Sequence, residues 1–526
     1  MKTNDLLDII GEANDEFIHD AKANQKQKTV RFPNWAKWSS AIAACLVIVI
    51  GCFTILPHYM PDDEAEAPSA SGYTGHEEGT VFMSYAGPVF PLTLMENNTN
   101  LEANRSIEFN FSTYQNDGED IEVWGNNGGG VIVTDKYQLT NTSNNDITVT
   151  AVYPFAGDFQ TMKWPVITLN GNEVEWNLNA GTYTGDFMGA AGNDETSSLN
   201  LDNITSWTEY AELLEDGSYF EDAFTEPESL DQPVIVYKLS DLTDGAGEYE
   251  AATLCMSYKY NPEKTSIMTW GFSGGGIRAD TGDEFRDFFI RDGLRKADEN
   301  VKFFIVIGDD IESYELQGYL DGSCTPGEEI DDASATVTRE EMTLGEMLRE
   351  IAEIRYAAIS ATEFDGDHNR YLDKQISLDM YYQAMVKHFS TYGPLGTDPK
   401  ERYAFGMLTD VISEVAYHDR ILYLSFDVTI PAGGSVEVNI EQFKYASFDF
   451  DCSGSENAGI DGYDMVTSLG SNIAFTGQSA SISNYDAIEI VRQNFGFDIT
   501  GGITNVELDM NEPHYYLEIR EIKTEE

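Results

Sequence analysis

Two stretches of the chain carry residue types at spacings that could do chemistry. Gly271-Phe272-Ser273-Gly274-Gly275 fits G-x-S-x-G, the turn by which a hydrolase raises a nucleophilic serine between a strand and a helix. The preceding TSIMTW suits the strand, but GIRADTGDEF is no clear helix start. A triad also needs a histidine held by an acid, and His368, His388, His418 and His514 stand in no telling context. A glycine-rich hairpin or loop is therefore expected here, and no enzyme.

The second stretch, Asp365-Gly366-Asp367-His368-Asn369 with Asp373 further on, opens like a calcium loop. Calcium takes six to eight oxygens, and closely spaced carboxylates and amides supply them. Arg370 stands where the tight turn wants glycine, and Ile376 where a bidentate glutamate belongs. An EF-hand is not expected. The alternatives are an irregular calcium site at Asp365, Asp367, Asn369 and Asp373, or a polar loop between helices, and the loop is the stronger reading. Asp449, Asp451, Asp461 and Asp464 form a second acidic group under the same two readings. No cofactor other than calcium is indicated.

Of five cysteines, Cys45 and Cys52 fall in an apolar run, while Cys255, Cys324 and Cys452 lie far apart beyond it. Three thiols allow at most one disulfide and one free thiol there. No C-x-x-C or His/Cys metal spacing occurs, so zinc is not expected.

The elements that must position these residues are read from the wider pattern. The chain has 526 residues, with 31 basic against 91 acidic and a net charge of −60. Residues 1–38 hold six of each sign, so the whole excess lies beyond them. Such a surface repels nucleic acid, which is bound through Lys and Arg contacts to phosphate. Residues 39–56, SSAIAACLVIVIGCFTIL, carry no charge. As a helix the run spans ~27 Å, close to a hydrocarbon core of ~30 Å. Trp35, Trp38 and Tyr59 flank it where interfacial aromatics are favoured. Residues 21–38 hold five basic residues and no acid, whereas residues 57–66 hold four acids and no base. The positive-inside rule puts the N-terminus in the cytoplasm and the bulk of the chain outside. A cleaved signal peptide fits less well, because about 38 residues precede the run. Val49-Ile50-Gly51-Cys52 resembles a lipobox, but Phe53 to Leu56 continue the apolar run.

Leu6, Ile10 and Phe17, with Ala13 and Ala21, recur at helical spacing and make an amphipathic segment. A helix this short is marginal alone. Its polar face is acidic, which anionic lipid repels, so the expected cover is a cytoplasmic protein partner.

The segments DLLDIIGEANDEFIHDA and WAKWSSAIAACLVIVI resemble those of clostridial single-pass membrane proteins, many encoded beside extracytoplasmic-function sigma factors and regarded as anti-sigma factors or sensors. FFIVIGDDIESYELQGY and IVRQNFGFDITGG are similar to the uncharacterised ectodomains of that group. The resemblance implies a sigma factor as the partner and an extracellular ligand for the ectodomain. The His/Cys pattern of zinc-type anti-sigma domains is absent.

The expected organisation is a cytoplasmic segment 1–38, a transmembrane helix 39–56, a Pro/Ser/Gly-rich acidic linker 57–79, a β-rich domain 80–231 and an α+β domain 232–526. The fold class is α+β, with a sandwich-like ectodomain and a helical section near 343–417. Runs such as VIVTDKYQLTN, ITVTAVYPF, VITLN and EVEWNL, broken by Asn/Gly/Asp turns, are strand signals. Thr343 with Glu346 is a capping box before an apolar face at Leu344, Met347, Leu348 and Ile351. A second helix presents Leu378, Tyr381, Met385 and Phe389, and a third begins at Asp398-Pro399. A short helix at 207–215 ends at Gly217. The function expected is a membrane-anchored regulator, anti-sigma-like or sensor. The alternative is a cell-surface binding or structural module with the N-terminus only as anchor.

Overall fold

The computed structural model describes residues 84–522, except 86, 115–129, 161–162, 184–210, 212–214, 216, 228, 245–250, 279–280, 291–299, 362–370, 393–407, 418–419 and 450–458. The amphipathic residues Leu6, Ile10 and Phe17, the apolar run 39–56 and the linker 57–79 lie outside the described residues. Among the described residues no helix is long and apolar enough to cross a membrane.

The described chain is β-rich. Its strands form five sheets, one of seven strands, two of five and two of four. Alternation explains the longest of them. Val131–Asn141 buries every second residue, Val131 to Leu139, and turns the others outward. It pairs with Leu101–Asn110 on one side and Ser435–Lys444 on the other, in the middle of the seven-stranded sheet. Leu101–Asn110 in turn runs parallel to Ala474–Ser483. Ile147–Gly157 pairs with Arg420–Ile430 in a four-stranded sheet.

These pairings correct the expected boundary at 231/232. Strands from 101–157 are hydrogen-bonded to strands from 420–483, so both expected domains contribute to the same two sheets. The physical reason is that the early strands carry open backbone edges, and the late strands pair along those edges and extend the same sheets. The core is built accordingly. One cluster joins Leu101, Tyr137, Val438 and Ile440 to Tyr153, Leu424 and Phe426 and to the helices. A second packs Ile107, Phe109, Val133 and Ile482 against Tyr463, Leu517 and Ile519.

One five-stranded sheet joins Ser84–Tyr85, Phe448–Asp449, Ile460–Val466, His514–Glu521 and Ile488–Gln493, and residues 233–343 supply the other four-stranded and the other five-stranded sheet. Pro233–Thr243, Thr265–Trp270, Lys302–Gly308 and Ser334–Thr343 make the first, and Thr253–Lys259, Gly274–Ile277, Glu284–Phe289, Ser313–Tyr319 and Glu329–Ile330 the second. Their facing sides share Leu239, Phe304 and Val306 with Leu254, Met256, Tyr258 and Phe288.

Four helices are described: α1 (Ser218–Phe224), α2 (Leu344–Ser360), α3 (Leu378–Tyr392) and α4 (Leu408–Tyr417). The capping box of α2 forms as expected, with Thr343 Oγ1 accepting from the Glu346 N–H and Glu346 accepting from the Thr343 N–H. Leu344, Met347, Leu348 and Ile351 of α2 are buried, as are Tyr381, Met385 and Phe389 of α3. Each such side chain contributes about 1.5–3 kcal/mol by leaving water. The helix expected at 207–215 lies mostly outside the described residues, and Gly217 takes φ +74° immediately before α1. One local expectation changes. EVEWNL is not one strand but falls between Asn172–Glu173 and Asn177–Tyr183.

Candidate functional site

The outer face of the five-stranded sheet from residues 253–330 carries both cysteines among the described residues, Cys255 on a strand and Cys324 on the loop above it. Strand alternation sends Leu254, Met256 and Tyr258 to the core and Thr253, Cys255 and Ser257 to the opposite face. Cys255 lies directly across from Asp287 in the neighbouring strand and from Gln317 on its other side. Gly274, in the edge strand, also faces Asp287, and a Cβ there would stand 2.8 Å from both carboxylate oxygens. Glycine at 274 is what leaves room for that carboxyl.

The loop 320–328, between Ser313–Tyr319 and Glu329–Ile330, folds back over this face. Its shape is fixed from within. Leu320 N–H donates to the Glu328 carbonyl, Ser323 N–H to Asp321 Oδ1, and Gly327 N–H to Glu329 Oε2. At its apex Cys324 takes φ +49°, a left-handed conformation that costs a non-glycine residue about 1–2 kcal/mol. That turn brings Cys324 inward, against Cys255, Tyr319 and Phe285. Both thiols are free and buried, and their sulfurs lie within hydrogen-bonding reach of each other.

The electrostatics of this patch are uneven. The hydrogen bond from Cys324 holds the Cys255 thiol below its ordinary range against the opposing effect of burial, with Ser257 and Arg278 acting the same way as that bond. The same bond, together with burial, pushes the Cys324 thiol up. Burial raises the Asp287 carboxyl to about 6, opposed by Arg286. Arg278 donates to the Tyr319 hydroxyl at 2.6 Å. Two free thiols packed together in one small cluster are suited to sulfur chemistry.

Two other polar clusters are sealed. Arg105, fully buried, meets Asp135 through Nε and Nη2, each at 2.8 Å, and donates from Nη1 to the Val466 carbonyl at 2.7 Å. Tyr137 donates to Asp135 at 2.6 Å, and Gln442 donates to the Tyr153 hydroxyl. Burial opposes the Arg105 charge but Asp135 outweighs it, and the guanidinium is held above its ordinary range. His514 Nε2 and Asp464 Oδ2 are 2.8 Å apart, an acid–histidine pair with both side chains buried.

Of the four residues singled out as a calcium site, Asp373 alone is among the described residues. Asp365, Asp367 and Asn369 lie outside the described residues. Asp373 sits in a turn where its Oδ1 accepts the Gln375 N–H. Among the described residues no three His, Cys, Asp or Glu are grouped to hold a metal. Of the second acidic group, Asp461 accepts from Tyr114 at 2.6 Å and Asp464 pairs with His514, while Asp451 is not described. Ser273 is exposed, its N–H donates to the Asp287 carbonyl, and the next element is the strand Gly274–Ile277, not a helix. Of the glycine-rich hairpin or loop expected there, the hairpin is what forms. The pairing of Cys255 with Cys324 is not legible in the sequence, where three thiols leave the choice of partners open. The signal available was DGSCTPG, a turn sequence between two short β runs, which marks a hairpin.

Compared with family models, curated proteins and solved structures, the chain matches none.

Proposed function

We propose that the chain is a membrane-anchored regulator of the anti-sigma or sensor kind. Residues 39–56 span the membrane. Residues 1–38 bind a cytoplasmic protein, a sigma factor, through Leu6, Ile10 and Phe17. The large acidic domain stands outside as a sandwich-like binding module. The observation that carries this reading is the asymmetry around the uncharged run, with five basic and no acidic residues in 21–38 and four acids and no base in 57–66. The acidic polar face of the N-terminal segment supports a protein partner over a lipid surface. The paired sheets and their shared apolar clusters support a rigid body fit for binding. The resemblance of the N-terminal segments to those of proteins encoded beside sigma factors supports the identity of the partner.

The test uses the full-length chain, tagged at its C-terminus, cross-linked in the host and recovered from detergent-solubilised membranes. The chain carrying Ile10→Asp and Phe17→Asp is compared with it. A sigma factor enriched at least tenfold by the intact chain and lost from the variant is the expected result. Equal background from both chains would remove the regulatory reading and leave an anchored surface module. Recovery of both chains in the soluble fraction would remove the anchor as well.

A further inference from the structure

We propose that Cys255 and Cys324 form a reversible disulfide that pins the 320–328 loop to the outer face of the five-stranded sheet, and that they are oxidised by an external disulfide. The inference does not rest on the regulatory reading above. It rests on placement. The two thiols come from separate elements, a central strand and a hairpin loop, yet share one small cluster with Tyr319 and Phe285. The loop hydrogen bonds and the left-handed φ at Cys324 hold its sulfur at this spot, so the contact is built into the fold. The described residues group no third ligand around the pair, which leaves disulfide formation ahead of metal binding as its chemistry.

Cys255, on the central strand, is taken as the attacking sulfur, and the exchange balances equally with the two roles reversed. The Cys255 thiolate attacks one sulfur of the external disulfide. A bond forms between Cys255 and that sulfur, the external S–S bond breaks, and one thiolate leaves. The Cys324 thiol then loses its proton and attacks the Cys255 sulfur, expelling the second external thiolate. Two protein thiols are oxidised to one disulfide, one external disulfide is reduced to two thiols, and the two protons end on those thiols. Both cysteines are nearly buried, so the oxidant reaches them when the loop lifts. Its apex residues Asp321, Ser323, Thr325, Pro326 and Gly327 are exposed and bury little that would hold it down.

The experiment equilibrates the full-length chain in detergent with oxidised glutathione or with dithiothreitol, traps free thiols with N-ethylmaleimide, and maps the peptides by mass spectrometry. In oxidised glutathione, alkylation at Cys255 and Cys324 is expected to fall together by at least tenfold. A peptide linking the two is expected to appear, and dithiothreitol is expected to reverse both changes. Oxidation is also expected to slow proteolytic cleavage within 320–328 by at least tenfold. The Cys324→Ser chain should stop at a glutathione adduct on Cys255. Full alkylation of both cysteines in the oxidised native chain would overturn the proposal, as would a link from either one to Cys452. The measurement on the unaltered chain decides the matter even if the variant fails to fold.

Discussion

Arg105 and Asp135 lie beneath two sheets, with the guanidinium spent on both carboxylate oxygens and on the Val466 and Phe90 carbonyls. Cys255 and Asp287 lie beneath a single loop, and both titrate away from their ordinary values. Both clusters are polar groups out of water, but only the first is closed. A closed network specifies how sheets stack and has no proton to move, because each donor meets an acceptor whose removal would be costly. The open one keeps a carboxyl and two thiols whose protonation and bonding can change without dismantling a core.

Four measurements break or sharpen that contrast. The largest effect belongs to Asp135→Asn, which leaves the Arg105 cation buried without its counter-charge. Denaturant unfolding should show a loss of about 3–5 kcal/mol, and a loss under 1 kcal/mol would mean the network is not closed. Next comes oxidation of the chain, which should stabilise it by about 2–4 kcal/mol through the Cys255–Cys324 link, an increment absent from Cys324→Ser. Third is pH. Folding raises the Asp287 carboxyl from 3.8 to about 6, so the folded chain holds more protons than the unfolded one between those values. The stability from this group is therefore full below pH 3.8 and is lost as the pH rises through about 6. After solvent screening the change is on the order of 1 kcal/mol, and Asp287→Asn should flatten the slope by that amount. The smallest effect is the control. Arg349 and Glu353 form an exposed pair at 3.1 Å on α2, and Glu353→Gln should change stability by less than about 0.5 kcal/mol.

What could be read from the sequence was local. Val131–Asn141 and Pro233–Thr243 announce themselves by β-branched and aromatic runs, and Thr343 with Glu346 announces α2 by its cap. What could not be read was which distant segments meet. The parallel pairing of Leu101–Asn110 with Ala474–Ser483 leaves no periodic trace, because each strand alternates in the same way whichever partner it has. Ala474–Ser483, with Gly477 and four serines or threonines, is also a weak strand signal by itself. The same limit hid the thiol pair. Cys255 reads as one residue of a buried strand, and only the hairpin after Ser313–Tyr319 carries Cys324 onto it. Ser273 shows the reverse case. Its five-residue motif was legible, and the element that follows it is the strand Gly274–Ile277 where a strand-to-helix elbow would have a helix.

The interleaving of early and late strands also sets a timetable. At about 5–20 residues per second, synthesis delivers Arg420–Ile430 on the order of 15–50 s after its partner Ile147–Gly157. Throughout that interval Ile147–Gly157 and Val131–Asn141 present unpaired apolar edges, the kind that recruit a neighbouring chain. Until residues 420–483 are made, neither strand has the late edge partner that it holds in the folded chain.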